Sequence, residues 1–542
     1  MSTVAEVLVD QLAAAGVETI FGLPGGEVVE ILDAIRQQGL RFVLVHNEAS
    51  ALFMADATAR LTGKPGVALT TLGPGATNAV SGVAHAYLDR SPVIVITAQK
   101  PDHLLPDYTH QVLDLHALYR PITKGSFKVT GANVQTLVPQ ALALAQAGRP
   151  GPVHLQVSNE AANETAVEHK SDANASLLSA TDPAAALTRF RVAITQARQL
   201  LAQARRPLIL AGLGLEPEGP YTWLHEFSTA ANAPVIVTPK AKGALADDRP
   251  LAAGVIGLTR TDPVYSLLDE TDCIVALGFD VVELVKPWQH PAPLIWVAPW
   301  ANTDPVVPAA VELVGPLSEI LQQLTDSDFA TAPEWGASRV ASFRAQQARH
   351  PLPVAVSGRV LPQQLLDALR EALPRTTLMA VDVGSHKIFS SLEWPTYTPN
   401  RFLLSNGLSS MGFALPSAIG ASLALGEPTV CLTGDAGMAM VLGELGVLAE
   451  LQAPVIVVVL NDSAIDLIRS HQVRAGKPVY GTEFRSPNFS QIAAAYDINA
   501  QRIEHVDACT PAIEAALASG GPALLEVMLD PSSYPTTPAS HR

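Results

Sequence analysis

The 542-residue chain carries 51 acidic against 35 basic residues, a net charge of -16, and only 16% of it is charged where about 25% is ordinary for a soluble protein. That balance excludes a nucleic-acid partner, which needs a basic face, and docking on an anionic membrane. Hydrophobic residues reach 48%, yet no uninterrupted apolar stretch approaches the ~20 residues of a membrane span, so the composition predicts large cores, three or four domains and further surface covered in an oligomer.

The opening Met1-Ser2-Thr3-Val4-Ala5-Glu6 has no basic segment, and Asp10 interrupts the apolar stretch behind it, so no signal peptide is expected. From there strand-like apolar runs alternate with helical patterns, the mark of parallel α/β layers. Residues 41–45, 66–70 and 92–96 read as buried strands, and the alanine-rich period of 49–61 predicts a helix. Residues 163–182 turn polar and lose any period, which predicts a linker. A helix over 184–204 opens a second unit with strands at 207–210, 233–237, 272–277 and 293–297. The lone Gly212-x-Gly214 after its first strand is a weak nucleotide signal. A second break falls at 325–333, followed by a polar helix to about residue 350. The last third repeats the rhythm with strands at 378–381, 429–433, 455–460 and 523–527. Three doubly wound parallel-sheet domains fit this order, and no short repeat suggests a solenoid. Cys273, Cys431 and Cys509 lie far apart without metal-ligand spacing. Cys431 reads as a small core residue, and a reduced, cytoplasmic setting is expected.

The most informative stretch is Thr429-Val430-Cys431-Leu432-Thr433-Gly434-Asp435-Ala436-Gly437, followed later by a run of valines ending in Leu460-Asn461-Asp462-Ser463. Each of two predicted strands ends in an acidic residue, and a βαβ crossover sets the carboxyl ends of such strands side by side, where ligands bind in open α/β sheets. Asp435 and Asp462 then reach one hard cation. Mg²⁺ takes one or two carboxylates and completes its octahedron with phosphate oxygens, while Gly434 and Gly437 allow close backbone approach and the helix starting near Gly437 offers free N–H groups. A single Gly-Asp also fits an ordinary strand-end turn; the second acidic strand end at crossover spacing is what favours the cation.

Gly434-Asp435 followed at this interval by Asn461-Asp462 resembles the signature of thiamine-diphosphate enzymes. Phe21-Gly22-Leu23-Pro24-Gly25-Gly26, His46-Asn47-Glu48-Ala49-Ser50 and Gly73-Pro74-Gly75-Ala76-Thr77-Asn78 resemble, in that order, the pyrimidine-binding domain of acetolactate synthases. The resemblance implies a pyrimidine-binding domain over 1–165, a central Rossmann-like domain over 183–330 and a diphosphate- and Mg²⁺-binding domain over 350–542. Carried over residue by residue, it implies Mg²⁺ held by Asp435, Asp462 and the carbonyl of Ala464. It implies cofactor contacts at Gly25, Glu48, Gly434, Ala436 and Gly437, at Gly384, Ser385 and His386 of the loop Asp382-Val383-Gly384-Ser385-His386, and at Ser409 and Met411 of Asn406-Gly407-Leu408-Ser409-Ser410-Met411-Gly412. Met411 would support the bent cofactor. Two positions depart from the signature: Ala436 stands at its third place, and Asp462 where asparagine is usual. By the resemblance Glu48 would carry the chemistry: a carboxyl at a buried strand end would share a proton with the pyrimidine and raise the basicity of the cofactor's own imino group, burial favouring that form; from position alone Glu48 equally suits the opening of the helix behind it.

Thr109-His110-Gln111-Val112-Leu113-Asp114 resembles the catabolic acetolactate synthase loop, which makes Gln111 a residue placing the acceptor and His110 a catalytic candidate. Ile468 and His471, three apart on one helical face, would line the substrate pocket, with His471 where tryptophan is frequent and Arg469 or His471 offered to a carboxylate. The implied activity is decarboxylation of pyruvate or a similar 2-keto acid with ligation of the fragment to a second carbonyl, by a homodimer or homotetramer whose sites lie between subunits. Gly278-Phe279-Asp280-Val281-Val282-Glu283 resembles the flavin-free branch, so FAD is not expected. A simple 2-keto-acid decarboxylase or an aldehyde lyase/ligase of the same family is the alternative, and a non-catalytic thiamine-diphosphate binder a further one.

Overall fold

The computed structural model describes residues 2–107, 109–167, 183–215, 219–286, 288–303, 306–347, 354–355 and 358–534. Among the described residues eighteen strands form three parallel six-stranded sheets covered by helices. The first sheet holds β1 (Thr19–Leu23), β2 (Arg41–Leu44), β3 (Gly66–Thr70), β4 (Val93–Gln99), β5 (Gly125–Lys128) and β6 (Val153–Ser158) in the order β2-β1-β3-β4-β6-β5. The second holds β7 (Pro207–Ala211), β8 (Val235–Val237), β9 (Ala252–Val255), β10 (Cys273–Leu277), β11 (Leu294–Ala298) and β12 (Val311–Val314) in the order β12-β11-β10-β7-β8-β9. The third holds β13 (Leu378–Val381), β14 (Phe402–Leu404), β15 (Thr429–Gly434), β16 (Val455–Asn461), β17 (Asn499–Ile503) and β18 (Ala523–Met528) in the order β14-β13-β15-β16-β18-β17.

The middle order is the dinucleotide-fold winding, and the outer two sheets share a different winding with each other. In every sheet the first strand lies inside and the chain winds outward in both directions, leaving a crevice at the carboxyl ends where the winding reverses. For the outer sheets that crevice lies between β1 and β3 and between β13 and β15.

Two compact units emerge. One gathers the described residues of 1–180 with 407–429 and 439–455, the other those of 181–406, 430–438 and 456–542. In the first unit the helix Glu48–Thr62 is buried on most sides. Gly66 lets it lie on β3, since a Cβ there would stand 2.1 Å from the Ala55 carbonyl oxygen. Its other side receives the helix Ala414–Leu425, where a Cβ at Gly420 would stand 2.6 Å from the Met54 carbonyl oxygen, and Phe53 meets Phe413 edge-on at 5.5 Å between centroids. Such contacts leave no room for an added methyl without moving backbone.

Three expectations need correction. Strand β2 is an edge strand on which only Val43 is buried and Leu44 is 46% exposed; its unbroken apolar run reads as a central strand, but the winding leaves it one neighbour. The predicted linker begins too early, because Thr165 bridges Thr3 and the Ala166 and Val167 amides bond to Ser2 and Gly131; its remainder, 168–182, lies outside the described residues. The polar helix ends at Gln346, and residues 348–350 also lie outside. All three cysteines are free and buried. Among the described residues no helix is long and apolar enough to cross a membrane.

Candidate active site

In the second unit three strand ends converge. After β13, Asp382 is buried and accepts from the Val383 amide at 2.8 Å and the Thr433 hydroxyl at 2.9 Å. A Cβ on Gly437 would stand 2.6 Å from the same Asp382 carboxylate, and one on Gly434 would stand 3.1 Å from the His386 ring. The glycines therefore let the loops after β13 and β15 close on each other. His386 is buried in the first turn of the helix Ser385–Glu393; burial, then the neighbouring Lys387 charge, lowers its pKa to about 4, so it is neutral near pH 7. Its Nε2 is buried with no hydrogen-bond partner among the described residues.

Asp435 opens the helix Asp435–Met440 directly after β15, two residues earlier than predicted. Its Oδ1 accepts from the Ala436 amide and its Oδ2 from the Ser463 amide, both at 2.8 Å, and Oδ2 also from the Ser486 hydroxyl. The next strand in the sheet, β16, delivers Asp462, while Asn461 turns away and donates to Glu526 at 2.7 Å. Ser463 has left-handed backbone, φ 59, which bends the chain so that Ala464 follows buried beside the pair. Burial raises the pKa of Asp435. Burial first, then the charges of Asp435 and Asp466, push Asp462 up to about 7. Two desolvated, mutually repelling carboxylates are at home beside a cation. Two carboxylates are what Mg²⁺ takes from a protein when ligand oxygens complete its octahedron; among the described residues no group of three or more His, Cys, Asp or Glu that could hold a metal is found. With the unpartnered His386 nitrogen and glycine-lined loops, the residues present fit a Mg²⁺–diphosphate group.

In the first unit, the crevice between β1 and β3 holds Gly25, whose Cβ would stand 2.4 Å from the Thr71 hydroxyl. Glu48, 4% exposed, is the first residue of its helix behind the Asn47 cap. Its Oε2 accepts from the Asn78 amide at 3.1 Å, and Gly75 lies against its other oxygen. Glu444, buried and with its pKa raised by burial, accepts from the His46 amide at 3.3 Å and holds the segment that presents Glu48. Gln111 has left-handed backbone, φ 61, and packs on Gly73, where a Cβ would stand 2.7 Å from its own. His110 is exposed. Gly407 donates to Asp89 at 2.7 Å, and Asp89 in turn faces His85 Nδ1 at 3.0 Å, which ties down the loop carrying exposed, left-handed Ser409 (φ 55) and half-buried Met411.

The loop beside Glu48 rests on a buried polar chain. Tyr119 donates to the Ala76 carbonyl at 2.6 Å and stacks on His154, whose nitrogens meet Ser126 at 2.7 Å and Thr97 at 2.8 Å, with His116 beyond Ser126. Burial, then the nearby His116, lowers the His154 pKa from 6.5 to about 3. A depressed folded pKa means that the unfolded chain takes up the proton first, so this stability is present above pH ~6.5 and lost as pH falls toward 3, at ~1.4 kcal/mol per unit at most. We expect His154→Gln to unfold at a lower denaturant midpoint than the unsubstituted protein at pH 7, with the gap narrowing between pH 6 and 4. A gap that widens on acidification removes the neutral-histidine account.

The predicted residues Gly384, Ser385, His386, Gly434, Asp435, Ala436, Gly437, Asp462 and Ala464 thus gather at neighbouring strand ends of one sheet. Ile468 and His471 share the exposed face of the helix Asp466–Arg474, as their spacing predicts. Arg469 is turned to Asp466 and Asp462. Sequence reading passes over Asp466, Glu444, Asp89 and His85; for His85 the available signal is a polar ring set among small and apolar residues of the helix Val80–Leu88.

Residues 2–118 match the N-terminal TPP binding domain of thiamine pyrophosphate enzymes, 194–324 their central domain and 382–527 their C-terminal TPP binding domain. The chain belongs to the thiamine pyrophosphate enzyme family. It is 31% identical to a probable acetolactate synthase large subunit of Methanococcus aeolicus, over 98% of this chain and 92% of the relative. It is 30% identical to an acetolactate synthase of Bacillus subtilis, over 97% and 93%. The solved Rhodococcus jostii thiamine diphosphate-dependent 4-hydroxybenzoylformate decarboxylase superposes with a TM-score of 0.83 over 98% of this chain and 100% of that one, at 22% identity, which establishes the fold. The protein is a thiamine-diphosphate-dependent enzyme of the carboligase/decarboxylase kind, acetolactate synthase-like.

Proposed function

We propose that the enzyme decarboxylates pyruvate or a similar 2-keto acid and ligates the fragment to a second keto acid, forming acetolactate from pyruvate, with Mg²⁺ as its metal. The observation that carries this reading is the buried Asp435–Asp462 pair at adjacent strand ends beside glycine-lined loops; relatives named acetolactate synthases along nearly the whole chain support the product. Bound thiamine diphosphate supplies a nucleophilic carbon and an electron sink for decarboxylation.

The chain's own residues bind, orient and move a proton. Asp435, Asp462 and the Ala464 carbonyl hold the metal. Gly384, Ser385, His386, Gly434, Ala436 and Gly437 receive the diphosphate. Gly25, Ser409 and Met411 hold the pyrimidine end, and the Glu48 carboxyl shares a proton with a ring nitrogen there. Gln111 and His110 orient the acceptor, and Ile468 and His471 bound its pocket. The two halves of each site come from different subunits of a homodimer or homotetramer in the cytoplasm.

Turnover needs no flavin in this reading. Gly212 and Gly214 have a packing reason: Cβ atoms there would stand 2.6 Å from Phe279 and 2.2 Å from Trp300. Purified enzyme given pyruvate, Mg²⁺ and thiamine diphosphate is expected to form acetolactate as the main product. Acetaldehyde alone makes it a simple decarboxylase, and no consumption of any 2-keto acid overturns the reading.

A further inference from the structure

Three carboxylates crowd the metal end of the site, and Arg469 is paired with two of them. Asp435 is 1% and Asp466 8% exposed, and the Asp462 side chain 8%. Arg469, one turn into the helix after β16, brings Nη2 to 2.7 Å from Asp466 Oδ1 and 3.5 Å from Asp462 Oδ2. The other Asp466 oxygen accepts from Ser385 at 2.7 Å, and Ser470 donates to the same carboxylate. Asp466 therefore ties the loop after β13 to the helix after β16, and Arg469 ties both to Asp462.

We infer that Arg469 is the charge counterweight of Asp462, setting how the site divides its affinity between a divalent cation and a diphosphate. The inference rests on the proposed metal and diphosphate site. With Arg469 in place the three carboxylates and one guanidinium sum to -2, the charge one divalent ion cancels. Without it the sum is -3, and the occupied site turns a residual negative charge toward an anion. At separations of a few ångströms and little solvent, such a unit charge shifts affinities measurably. An arginine held in a two-carboxylate fork keeps that charge fixed. Because the ion and the diphosphate have opposite charges, Arg469 must act on them in opposite directions, whereas a merely structural residue weakens both.

Isothermal titration of Mg²⁺ into cofactor-free protein, and of thiamine diphosphate at saturating Mg²⁺, reads both affinities without turnover. Arg469→Gln is expected to tighten Mg²⁺ and weaken thiamine diphosphate, each ~10-fold. Asp462→Asn is expected to weaken Mg²⁺ ~10-fold, and the double variant Asp462→Asn/Arg469→Gln to return both constants to within ~3-fold of the unsubstituted protein, because the two opposite charge changes cancel. Arg469→Lys, which keeps the charge, is expected to stay within ~3-fold, and the double variant, which restores the sum of -2, carries the test if Arg469→Gln alone does not fold. Loss of both affinities together in Arg469→Gln, a double variant that does not return toward the unsubstituted constants, or opposite-direction shifts in Arg469→Lys overturn the inference while leaving the functional reading in place. An unsubstituted protein that binds neither ligand removes the reading and the inference with it.

Discussion

Glu48→Gln is expected to lower kcat at least ~100-fold, the scale of a lost general acid–base group, with little change in the unfolding midpoint. The substitution isolates the proton. Glutamine fills the same volume at the start of the helix Glu48–Thr62, and its carbonyl oxygen still accepts the Asn78 amide now bonded to Glu48 Oε2. It cannot share a proton with a ring nitrogen held against it. The side chain is 4% exposed, so bulk water does not replace the missing acid. The surroundings favour one position: Gly75 lies against the free oxygen, Glu444 pins the His46 amide just upstream, and Tyr119, bonded to Ala76, lies within reach of the Glu48 charge. The comparison is steady-state kinetics with pyruvate beside thermal unfolding of both proteins. Unchanged turnover with an unchanged midpoint means that Glu48 only opens its helix, and the proton-sharing role fails.

What the sequence reveals of this site, and what it hides, follows from the range of the interactions. Asp435 and Asp462 are legible because each closes an apolar run, and adjacent parallel strands need a crossover of about the interval that separates them. Ile468 and His471 are legible because helical spacing is local. Arg469 is half legible: Asp466 lies three residues before it, but Ser385, bonded to that aspartate, belongs to the end of another strand. The Gly407 amide meets Asp89 across 318 residues, and the His46 amide meets Glu444 across 398; no local pattern encodes either. Burial of Glu48 is hidden too, since glutamate at a helix start is equally suited to water. In the fold, the edge position of β2 depends on winding order, as does the identical winding of the first and third sheets. Short β14 and β9, three and four residues long, are too brief to carry a period.

Asp435→Asn is expected to leave the ligand-free protein nearly as stable as before and to abolish its stabilisation by thiamine diphosphate with Mg²⁺. Two opposing terms meet in the free protein. The amide cannot reproduce every acceptor role of the carboxylate toward the Ala436 and Ser463 amides and the Ser486 hydroxyl, a loss of about 1 kcal/mol per hydrogen bond. Against that, removing the charge relieves repulsion of Asp462, itself pushed up to about 7 by burial and by Asp435, a gain of similar order. The ligand-bound protein has no such offset. An amide at this place brings no charge to a hard divalent ion, which takes only one or two protein carboxylates, and leaves Asp462 as the pair's single carboxylate. The unsubstituted protein at ~100 times its Kd gains about 2.7 kcal/mol from ligand; a Kd raised at least ~100-fold leaves the variant less than about 0.5 kcal/mol at the same concentration. Unfolding midpoints measured with and without thiamine diphosphate at fixed Mg²⁺ give both numbers. A variant that keeps the full ligand-induced shift shows that Asp435 does not hold the metal, and the diphosphate then binds through the loop after β13 alone.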